Sequence, residues 1–397
     1  MSTGLVRANS IFGLEVESTE GTLVPPSAAT SYLQLLEGWD MKPKIEVVDR
    51  GLVTASPGKE TPRLGMKSVT ASAPVEMRAS GTEGAEPDFD YLLKGALGAR
   101  RQNTTNVTAR AGVNTSTNIL IADADISKFA VGDMVLVKEA GKHELRPISA
   151  RATGAGSASI TFPFALTNGA PSSGVVLSKF STYYTADSGH PSLSLCYYWA
   201  NEIRTALAGG KVSSMSLENF KVGKVASFNF GVDGLTFTQI DGAAPHTPSY
   251  DSGLPPMILN ACVWRAGVLT PINDLSLNLK NDLGALTSTC SANGKTGQRV
   301  KARDIKGSIN PYMDDTSTTY FDNWVAGTEF SLFAYAYTPS STSGEITMGS
   351  VVGIWLPQCF TEEYAVGDVD GIVNETLSFR ATRGSAGTSE EMYLGFV

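Results

Sequence analysis

Apolar and polar residues alternate along many short stretches of this chain, which predicts β-strands. In residues 225–230, Ala226, Phe228 and Phe230 fall on one side of such a strand, and Ser227 and Asn229 fall on the other. Turn-forming residues separate the stretches, and the chain contains 40 Gly. The pattern predicts a mainly β protein whose sheets have one face of apolar side chains and one face of small polar side chains that contacts water.

The order of these patterns occurs twice. Residues 44–93 show a strand, a long Gly-rich loop, a second strand and a helix, and residues 274–324 repeat that order about 230 positions later. The helix signals are Asp88 to Leu93 in the first copy and Tyr320 to Trp324 in the second. A repeated unit is typical of proteins that build symmetric assemblies.

The distance between the copies then shrinks. Residues 193–198 resemble 330–335, and the strand pair 212–230 resembles 359–379, at an offset of only about 140. The difference predicts an insertion in the first copy, where four or five short strand patterns lie. The fold predicted is a duplicated β-sandwich or β-barrel unit with one flanking helix each, plus an inserted small β domain. The predicted domains are a first unit of residues 1–99 with 186–250, an inserted domain of residues 100–185, and a second unit of residues 251–397.

The N-terminal region contains weaker signals. Residues 1–30 are polar and contain Pro25 and Pro26, which predicts an extended arm ordered against a neighbour. Residues 31–38 fit one helical turn with Leu33, Leu35 and Leu36 inward. The start of the chain has no apolar signal core, and no stretch reaches the ~18–20 apolar residues of a membrane span. We therefore expect synthesis in the cytoplasm.

Charge argues against a protein that grips nucleic acid. The net charge is −8, only 18% of residues are charged, and no basic cluster is longer than Arg100-Arg101. Binding to phosphates requires a basic stripe that replaces counterions. A mildly acidic wall is compatible with DNA that passes without sticking.

Candidate chemistry is sparse, so neither enzymatic activity nor a cofactor is expected. Gly294-Lys295-Thr296 ends like a phosphate-binding loop, but Thr289 stands where that loop requires Gly. The three histidines, His143, His190 and His246, lie in loop-like contexts without metal-ligand spacing and are predicted at the surface. The four cysteines, Cys196, Cys262, Cys290 and Cys359, lack CxxC spacing, and Cys196 and Cys359 are predicted as buried free thiols.

Carboxylates leave glycoside hydrolysis open as an alternative, with Glu362, Glu363, Asp368 and Asp370 as candidates. Asp368 to Gly371 resembles the start of a calcium loop, but Phe379 stands near the place of its distal Glu, so a tight β-turn is the preferred interpretation. Trp199, Trp324 and Trp355 are predicted to pack in the core rather than to stack on carbohydrate.

Two long loops, residues 49–65 and 281–297, are the unusual predicted elements. Loops of that length are uncommon unless they are functional or disordered. Both loop regions carry cations in an acidic protein, and we predict that they dock on another subunit. The candidate contact residues are Arg50, Lys59, Arg63, Lys280, Lys295 and Arg299.

The segment Arg7 to Thr22 is similar to an E-T-x-x-G-T opening. By this opening the chain resembles the tail tube (major tail) proteins of bacteriophages with long, non-contractile tails. The strand, loop, strand and helix order, ending in Asp88 to Leu93 and in Thr319 to Gly327, is similar too, as is Leu275 to Leu286 followed by Val300 to Ile309. The resemblance covers most of the chain outside residues 100–190.

The resemblance implies a structural virion protein that self-assembles into stacked rings and conducts DNA from head to host. Two units per chain imply a ring of three chains with pseudo-sixfold symmetry. The implied partners are the tape measure protein, the tail terminator and distal tail proteins, and DNA in the lumen; the implied locations are the virion tail and, during assembly, the host cytoplasm. The alternative is another virion component, a decoration or baseplate protein with a carbohydrate-binding β domain.

Overall fold

The structure is a computed structural model that describes residues 9–52, 58–139, 141–154, 156, 158–259, 261–313, 318–340, 345–384 and 390–397. Strands dominate it, so the prediction of a mainly β protein is confirmed. The helices are α1 (Asp90–Leu97) and α2 (Thr318–Val325), with a short 3-10 helix at Ile126–Lys128. In chain order the strands are β1 (Ile11–Val16), β2 (Tyr32–Leu33), β3 (Asp40–Val48), β4 (Arg63–Glu76), β5 (Gly98–Asn103), β6 (Val107–Thr108), β7 (Asn118–Leu120), β8 (Met134–Lys138), β9 (Glu144–Pro147), β10 (Ala150–Ala152), β11 (Ser159–Thr161), β12 (Val176–Leu177), β13 (Phe180–Thr185), β14 (Leu193–Trp199), β15 (Ile203–Glu218), β16 (Ser227–Gly234), β17 (Thr236–Asp241), β18 (Ala261–Arg265), β19 (Val268–Leu269), β20 (Ile272–Thr287), β21 (Lys295–Pro311), β22 (Phe330–Ala336), β23 (Val352–Val369), β24 (Ile372–Ala381) and β25 (Tyr393–Phe396).

Eight strands form one continuous antiparallel sheet, here called the long sheet, in the order β3–β4–β16–β15–β20–β21–β24–β23. Its first four strands come from residues 40–234, here called the first half of the fold, and its last four come from residues 272–381, here called the second half. In β16, Phe228, Phe230 and Val232 are buried. Asn229 lies on the opposite face, where its Oδ1 accepts a hydrogen bond from Ser72. The predicted separation of an apolar and a polar face is therefore observed in β16.

A second layer of strands packs over the apolar face of the long sheet. It consists of the run β2–β1–β14–β15–β17 and the run β19–β18–β22–β23–β25–β13–β5. The long strands β15 and β23 belong to both layers. Buried side chains from both layers, among them Phe12, Tyr197, Phe228 and Phe379, share one core. Burial of this apolar surface is the main force that holds the layers together.

The two halves share their irregularities as well as their strand order. The β14–β15 pairing shifts register between Leu193 and Leu195, and β22–β23 shifts between Phe330 and Leu332. The β15–β16 pairing shifts between Val212 and Ser214, and β23–β24 between Thr361 and Glu363. A β-bulge inserts one extra residue at a defined place, so these shifts align the strands of the two halves residue by residue.

Residues between β5 and β13 form a small body of short strands, namely a 3-stranded sheet β10–β11–β7 and a 4-stranded sheet β6–β12–β8–β9. This region holds more strands than the sequence pattern predicted. Its core includes Phe129 and Met134 and continues into Phe333 and Trp355 of the second layer. Successive residues of a strand point to opposite faces, and the neighbours Ala334 and Ile354 face the long sheet. The small body therefore lies on the side of the second layer that faces away from the long sheet.

Glycines allow that close packing. A Cβ atom at Gly353 would lie 2.5 Å from the Met134 sulfur, and one at Gly395 would lie 2.5 Å from the Met134 Cβ. Any larger residue at either position would push the small body away from the second layer.

Two predictions for the N-terminal region are wrong. Residues 11–16 are not part of a polar arm but form β1, which pairs with β14 from Ile11↔Tyr198 to Val16↔Leu193. Phe12 and Leu14 are buried, because alternate residues of this strand face the core. Residues 31–38 do not form a helical turn, since Tyr32 and Leu33 form β2 beside β1. Residues 1–8 lie outside the described part.

Candidate assembly surfaces

One of the two long loops is mostly strand. β20 and β21 pair as far as Thr287↔Lys295, so the connection is a tip of residues 288–294 rather than a loop of residues 281–297. The prediction of a long loop is wrong here because one side of these two strands carries polar side chains that face water, as loop residues do. The other connection, residues 49–62, is long as predicted, and its residues 53–57 lie outside the described part.

Three predicted contact residues serve their own chain or lie within a strand. The Arg299 guanidinium contacts the Glu20 carboxylate at 2.5 Å. Lys295 acts on Asp233 of its own chain: burial raises the pKa of the Asp233 carboxyl, and the positive charge of Lys295 opposes that rise. Lys280 is exposed in the middle of β20, opposite Ser214 of β15.

The other three predicted residues fit a contact with another molecule better. Arg50, Lys59 and Arg63 are exposed at or beside the β3–β4 connection, and none forms an ion pair with any described residue. The tip between β20 and β21 lies at the same end of the long sheet, because a Cβ atom at Gly294 would lie 2.8 Å from Met66 Cγ. The structure thus brings the two connections together at one end.

The long sheet has two free edges. Within the described residues, β3 pairs only with β4, and residues 361–369 of β23 pair only with β24. The β3 edge carries Lys42, Pro43 and Lys44, residues typical of edge strands because they hinder uncontrolled pairing. The β23 edge exposes 53% of Val366.

Between the two halves, the sheet is joined by the pairing of β15 with β20, here called the internal junction. Its four residue pairs run from Ser214↔Lys280 to Leu217↔Leu277. Asn281, on β20, adds a side-chain bridge: its Nδ2 donates to Ala96 O at the end of α1 at 3.0 Å and to Val212 O of β15 at 3.1 Å. At the internal junction, the first half thus contributes the edge of β15 together with α1, and the second half contributes the edge of β20.

The two helices differ in how they are covered. Phe89, just before α1, is fully buried, and its ring lies 6.2 Å from that of Phe228 and 5.9 Å from that of Phe396. On α2, by contrast, Phe321 is 45% exposed and Val325 is 67% exposed. The helix at the internal junction is covered, and the helix beside the free β23 edge is not.

A groove of about 780 Å³ lies beside the other edge, and residues 33–39, which lead into β3, form much of its lining. Phe12, Tyr197 and Tyr250 also line it. Its lining lacks histidine and cysteine, and no group of acidic, histidine and cysteine residues that could hold a metal ion occurs among the described residues.

One part of the polar face of the long sheet has compensated charges, although Lys280 on the same face forms no ion pair with any described residue. Glu362 contacts Lys306 at 2.8 Å and Arg380 at 3.1 Å, and Arg380 also contacts Asp304 at 3.0 Å. Neutral pairs lie beside this network, such as the hydroxyls of Ser276 and Ser308 at 2.8 Å. Opposite charges on neighbouring strands stabilise a sheet modestly.

The carboxylates proposed for glycoside hydrolysis are not grouped in the groove. Glu362 lies in the ion-pair network, and Glu363 is exposed at the β23 edge. Asp368 Oδ2 accepts a hydrogen bond from the Gly371 N–H at 3.1 Å, and Asp370 has a positive φ of 53°. The preferred interpretation of Asp368 to Gly371 as a tight turn is confirmed.

The remaining singled-out residues are mostly structural. Cys196 and Cys359 are buried free thiols as predicted, and burial raises the pKa of Cys196 to about 11. The prediction of surface histidines is confirmed for the exposed His246 but is wrong for His143 and His190, which are both partly buried. The His190 Nδ1 lies 2.9 Å from Gly95 O. Burial lowers its pKa. Trp355 is buried in the core.

A comparison with known protein families identifies the class of this protein. The chain is mainly β, has free sheet edges, and lacks a long apolar helix able to cross a bilayer in its described part. Residues 7–381 match the model of the family described as phage tail tube protein, so the chain belongs to that family. It is a structural protein of the bacteriophage virion and a component of the tail. No individual curated protein matches the sequence.

Proposed function

We propose that three copies of this chain form a ring with pseudo-sixfold symmetry, and that stacked rings form the conduit through which DNA leaves the virion. The observation that carries the proposal is the internal junction. It joins two halves of identical strand order edge to edge, and leaves the corresponding edges free at both ends of the long sheet. Unlike edges that join head to tail generate a closed ring when the rotation per subunit closes.

The same correspondence supports a duplicated β-sandwich unit with one helix each. The first unit comprises residues 1–99 with 186–250, and the second comprises residues 251–397. Residues 100–185 form an inserted domain, whose terminal strands β5 and β13 are part of the second layer beside β25. The small body between these two strands lies on the outside of the ring, because it packs on the side of the second layer away from the long sheet.

The polar face of the long sheet lines the lumen in this arrangement. Ser, Thr and Asn side chains dominate much of it, and the cations Lys306 and Arg380 are held by carboxylates. Cations without counter-charges would bind DNA phosphates tightly and in a salt-dependent manner. A surface with compensated charges lets DNA slide past without base-specific contacts.

Rings stack through the β3–β4 connection, with Arg50, Lys59 and Arg63 as contact residues. The β20–β21 tip with Lys295 lies beside it, whereas Arg299 mainly holds Glu20 of its own chain. The lumen of the tube contacts the tape measure protein. The two ends of the tube contact the tail terminator and distal tail proteins. Assembly takes place in the host cytoplasm.

Cryo-electron microscopy of the purified protein tests this function. We expect hollow stacked rings with three chains each, whereas six full chains per ring would contradict the stoichiometry. Discrete particles that bind glycans would instead favour a decoration or baseplate protein. The triple variant Arg50→Glu, Lys59→Glu, Arg63→Glu should form rings that do not stack. Its control is Lys142→Glu, in the inserted domain, which should stack normally.

A further inference from the structure

We infer that residues 361–369 of β23 in one chain pair with β3 of the next chain, in the register of the internal junction. This inference rests on the proposed ring and specifies the contact that closes it. The occupant of each free edge is therefore the other free edge, on a second copy of this chain.

The register follows from the shared bulges. In the internal junction, Ser214, Met215 and Leu217 of β15 lie opposite Lys280, Leu279 and Leu277 of β20. Ser214 and Glu363 each follow the same bulge, at Val212/Ser214 and at Thr361/Glu363, so they correspond.

The second edge is aligned in the same way. Across the β3–β4 register shift, Ile45 lies opposite Lys67 and Val47 lies opposite Leu64. The β20–β21 pairing shifts register at three places, and across the shift at Asp282/Leu283 Asn281 lies opposite Arg303 and Leu283 lies opposite Val300. Each of these four residues lies 236 positions after its counterpart in β3–β4. Ile45 therefore corresponds to Asn281, and Lys44 to Lys280. Transfer of the internal register to the two free edges yields the pairs Glu363 with Lys44, Tyr364 with Pro43, Ala365 with Lys42 and Val366 with Met41.

The side chains of these pairs are complementary. Glu363 and Lys44 are both exposed, carry opposite charges, and form no ion pair with any residue that the structure describes. Directly opposite residues of antiparallel strands have Cβ atoms about 4.5–5.5 Å apart, close enough for an ion pair. Val366 and Met41 take the places of Leu217 and Leu277, which are 4% and 3% exposed at the internal junction.

The exposed face of α2 also finds a partner in this arrangement. At the internal junction, Asn281 contacts the end of α1. Its counterpart Ile45 is apolar, and α2 exposes the apolar Phe321 and Val325 at the corresponding place. Within the chain, the Asn281 side chain bridges two carbonyl groups. Between chains, an apolar contact of Ile45 with α2 takes the place of that bridge.

The groove beside β3 takes the turn of the neighbouring chain. At the internal junction, the turn after β15 places Phe220 O within 3.1 Å of the Leu275 N–H, and Phe220 is buried. The turn after β23 exposes Val369 by 39% and Ile372 by 57%. Leu35 and Trp39 line the groove at the place where this apolar turn arrives.

Pairing of like edges is disfavoured, which selects the head-to-tail arrangement. Two β3 edges would bring Lys42 and Lys44 of one chain against the same lysines of another. Like charges directly opposite destabilise a strand pair. When the β23 edge pairs with the β3 edge, the acidic Glu363 lies opposite the basic Lys44, and the apolar Val366 lies opposite the apolar Met41.

Charge reversal tests the register. Glu363→Lys and Lys44→Glu should each reduce ring formation at least tenfold, as measured by light scattering after size exclusion and by negative-stain microscopy. The double variant should recover rings, because the pair is restored with its signs exchanged. Full assembly of both single variants would overturn the register.

Disulfide trapping tests it independently. In a Cys290→Ser background, Lys44→Cys with Glu363→Cys should yield covalent oligomers that end at three chains on a non-reducing gel. Asp40→Cys with Glu363→Cys is the control, because four residues along a strand amount to about 14 Å, too far for a disulfide. Equal trapping by both pairs, or trapping only by the control, would overturn the register.

The helix contact has its own variant. Val325→Glu should leave the monomer folded, since Val325 is 67% exposed, but should prevent ring formation. Val113→Glu, at a position that is 87% exposed in the inserted domain, should assemble normally. If the wild-type chain forms rings and the variants Glu363→Lys, Lys44→Glu and Val325→Glu form them equally well, the proposed ring is supported and the inferred contact is wrong. If the wild-type chain stays monomeric in every buffer, the ring and the contact both fail.

Discussion

Asn281→Ala offers a direct measure of how strongly the two halves of the chain are joined. The side chain is 2% exposed and lies on β20. Its Nδ2 donates to Ala96 O at 3.0 Å and to Val212 O at 3.1 Å. Alanine removes both donors and leaves two buried carbonyl oxygens with one partner fewer.

The expected cost follows from these two hydrogen bonds. A buried acceptor that loses its donor costs about 1–3 kcal/mol. Alanine also removes the Asn281 Oδ1, which is buried without a hydrogen-bond partner among the described residues, so we expect a total near the lower part of that range, about 2–4 kcal/mol. Unfolding entropy is about 2.1 cal/mol/K per residue, which for 397 residues is about 0.8 kcal/mol/K. The midpoint of thermal unfolding should therefore fall by about 2–5 °C.

Differential scanning calorimetry of the unassembled chain measures this shift. The control is Asn278→Ala on the same strand, whose exposed side chain lies on the polar face, and its midpoint should change by less than about 1 °C. Asn281→Asp should be at least as damaging as Asn281→Ala, because a carboxylate cannot donate to the two carbonyl groups. Equal midpoints for Asn281→Ala and Asn278→Ala would refute the bridge.

Three further predictions concern single residues. Cys290 is the exposed thiol among the cysteines, so iodoacetamide should label it at least tenfold faster than Cys196 in the folded chain, and equal rates would contradict the burial of Cys196. Glu362→Gln should change the unfolding free energy by less than about 1 kcal/mol, because its ion pairs are half-exposed. Assembled tubes of that variant should bind short DNA more tightly at low salt by fluorescence anisotropy, and unchanged binding would argue against a compensated lumen. Burial lowers the pKa of His190, so its contribution to stability is present above the unfolded pKa of about 6.5 and is lost as pH falls through the folded pKa. His190→Gln should flatten the fall of the thermal midpoint below pH ~6.5, and an unchanged slope would exclude this origin.

Strand alternation could be derived from the chain alone. Each β-strand places successive side chains on opposite faces, so the alternation in residues 225–230 specified which side of β16 is buried before any partner was known. The repeated order of patterns likewise predicted two segments of strand, connection and strand in corresponding places, which are the pairs β3–β4 and β20–β21. The helix signals at residues 88–93 and 320–324 fell on or beside α1 and α2.

Other features depended on partners far away in the chain. β1 looked like a polar arm because its pairing with β14 joins residues about 180 positions apart. The ends of β20 and β21 next to their turn looked like loop because their polar side chains meet water. Burial of His190 arises from α1 and could not be predicted from its loop-like surroundings.

Local pattern therefore determined which residues form strands and which side of each strand is apolar, since both depend on backbone geometry. Only the tertiary structure decided which edges meet. The pairing of β15 with β20, the exposure of β3 and β23, and the cover of α1 but not of α2 all arise from contacts between distant segments. Such contacts leave no periodic signal in the chain, because either edge could pair with any strand until the packed core selects one.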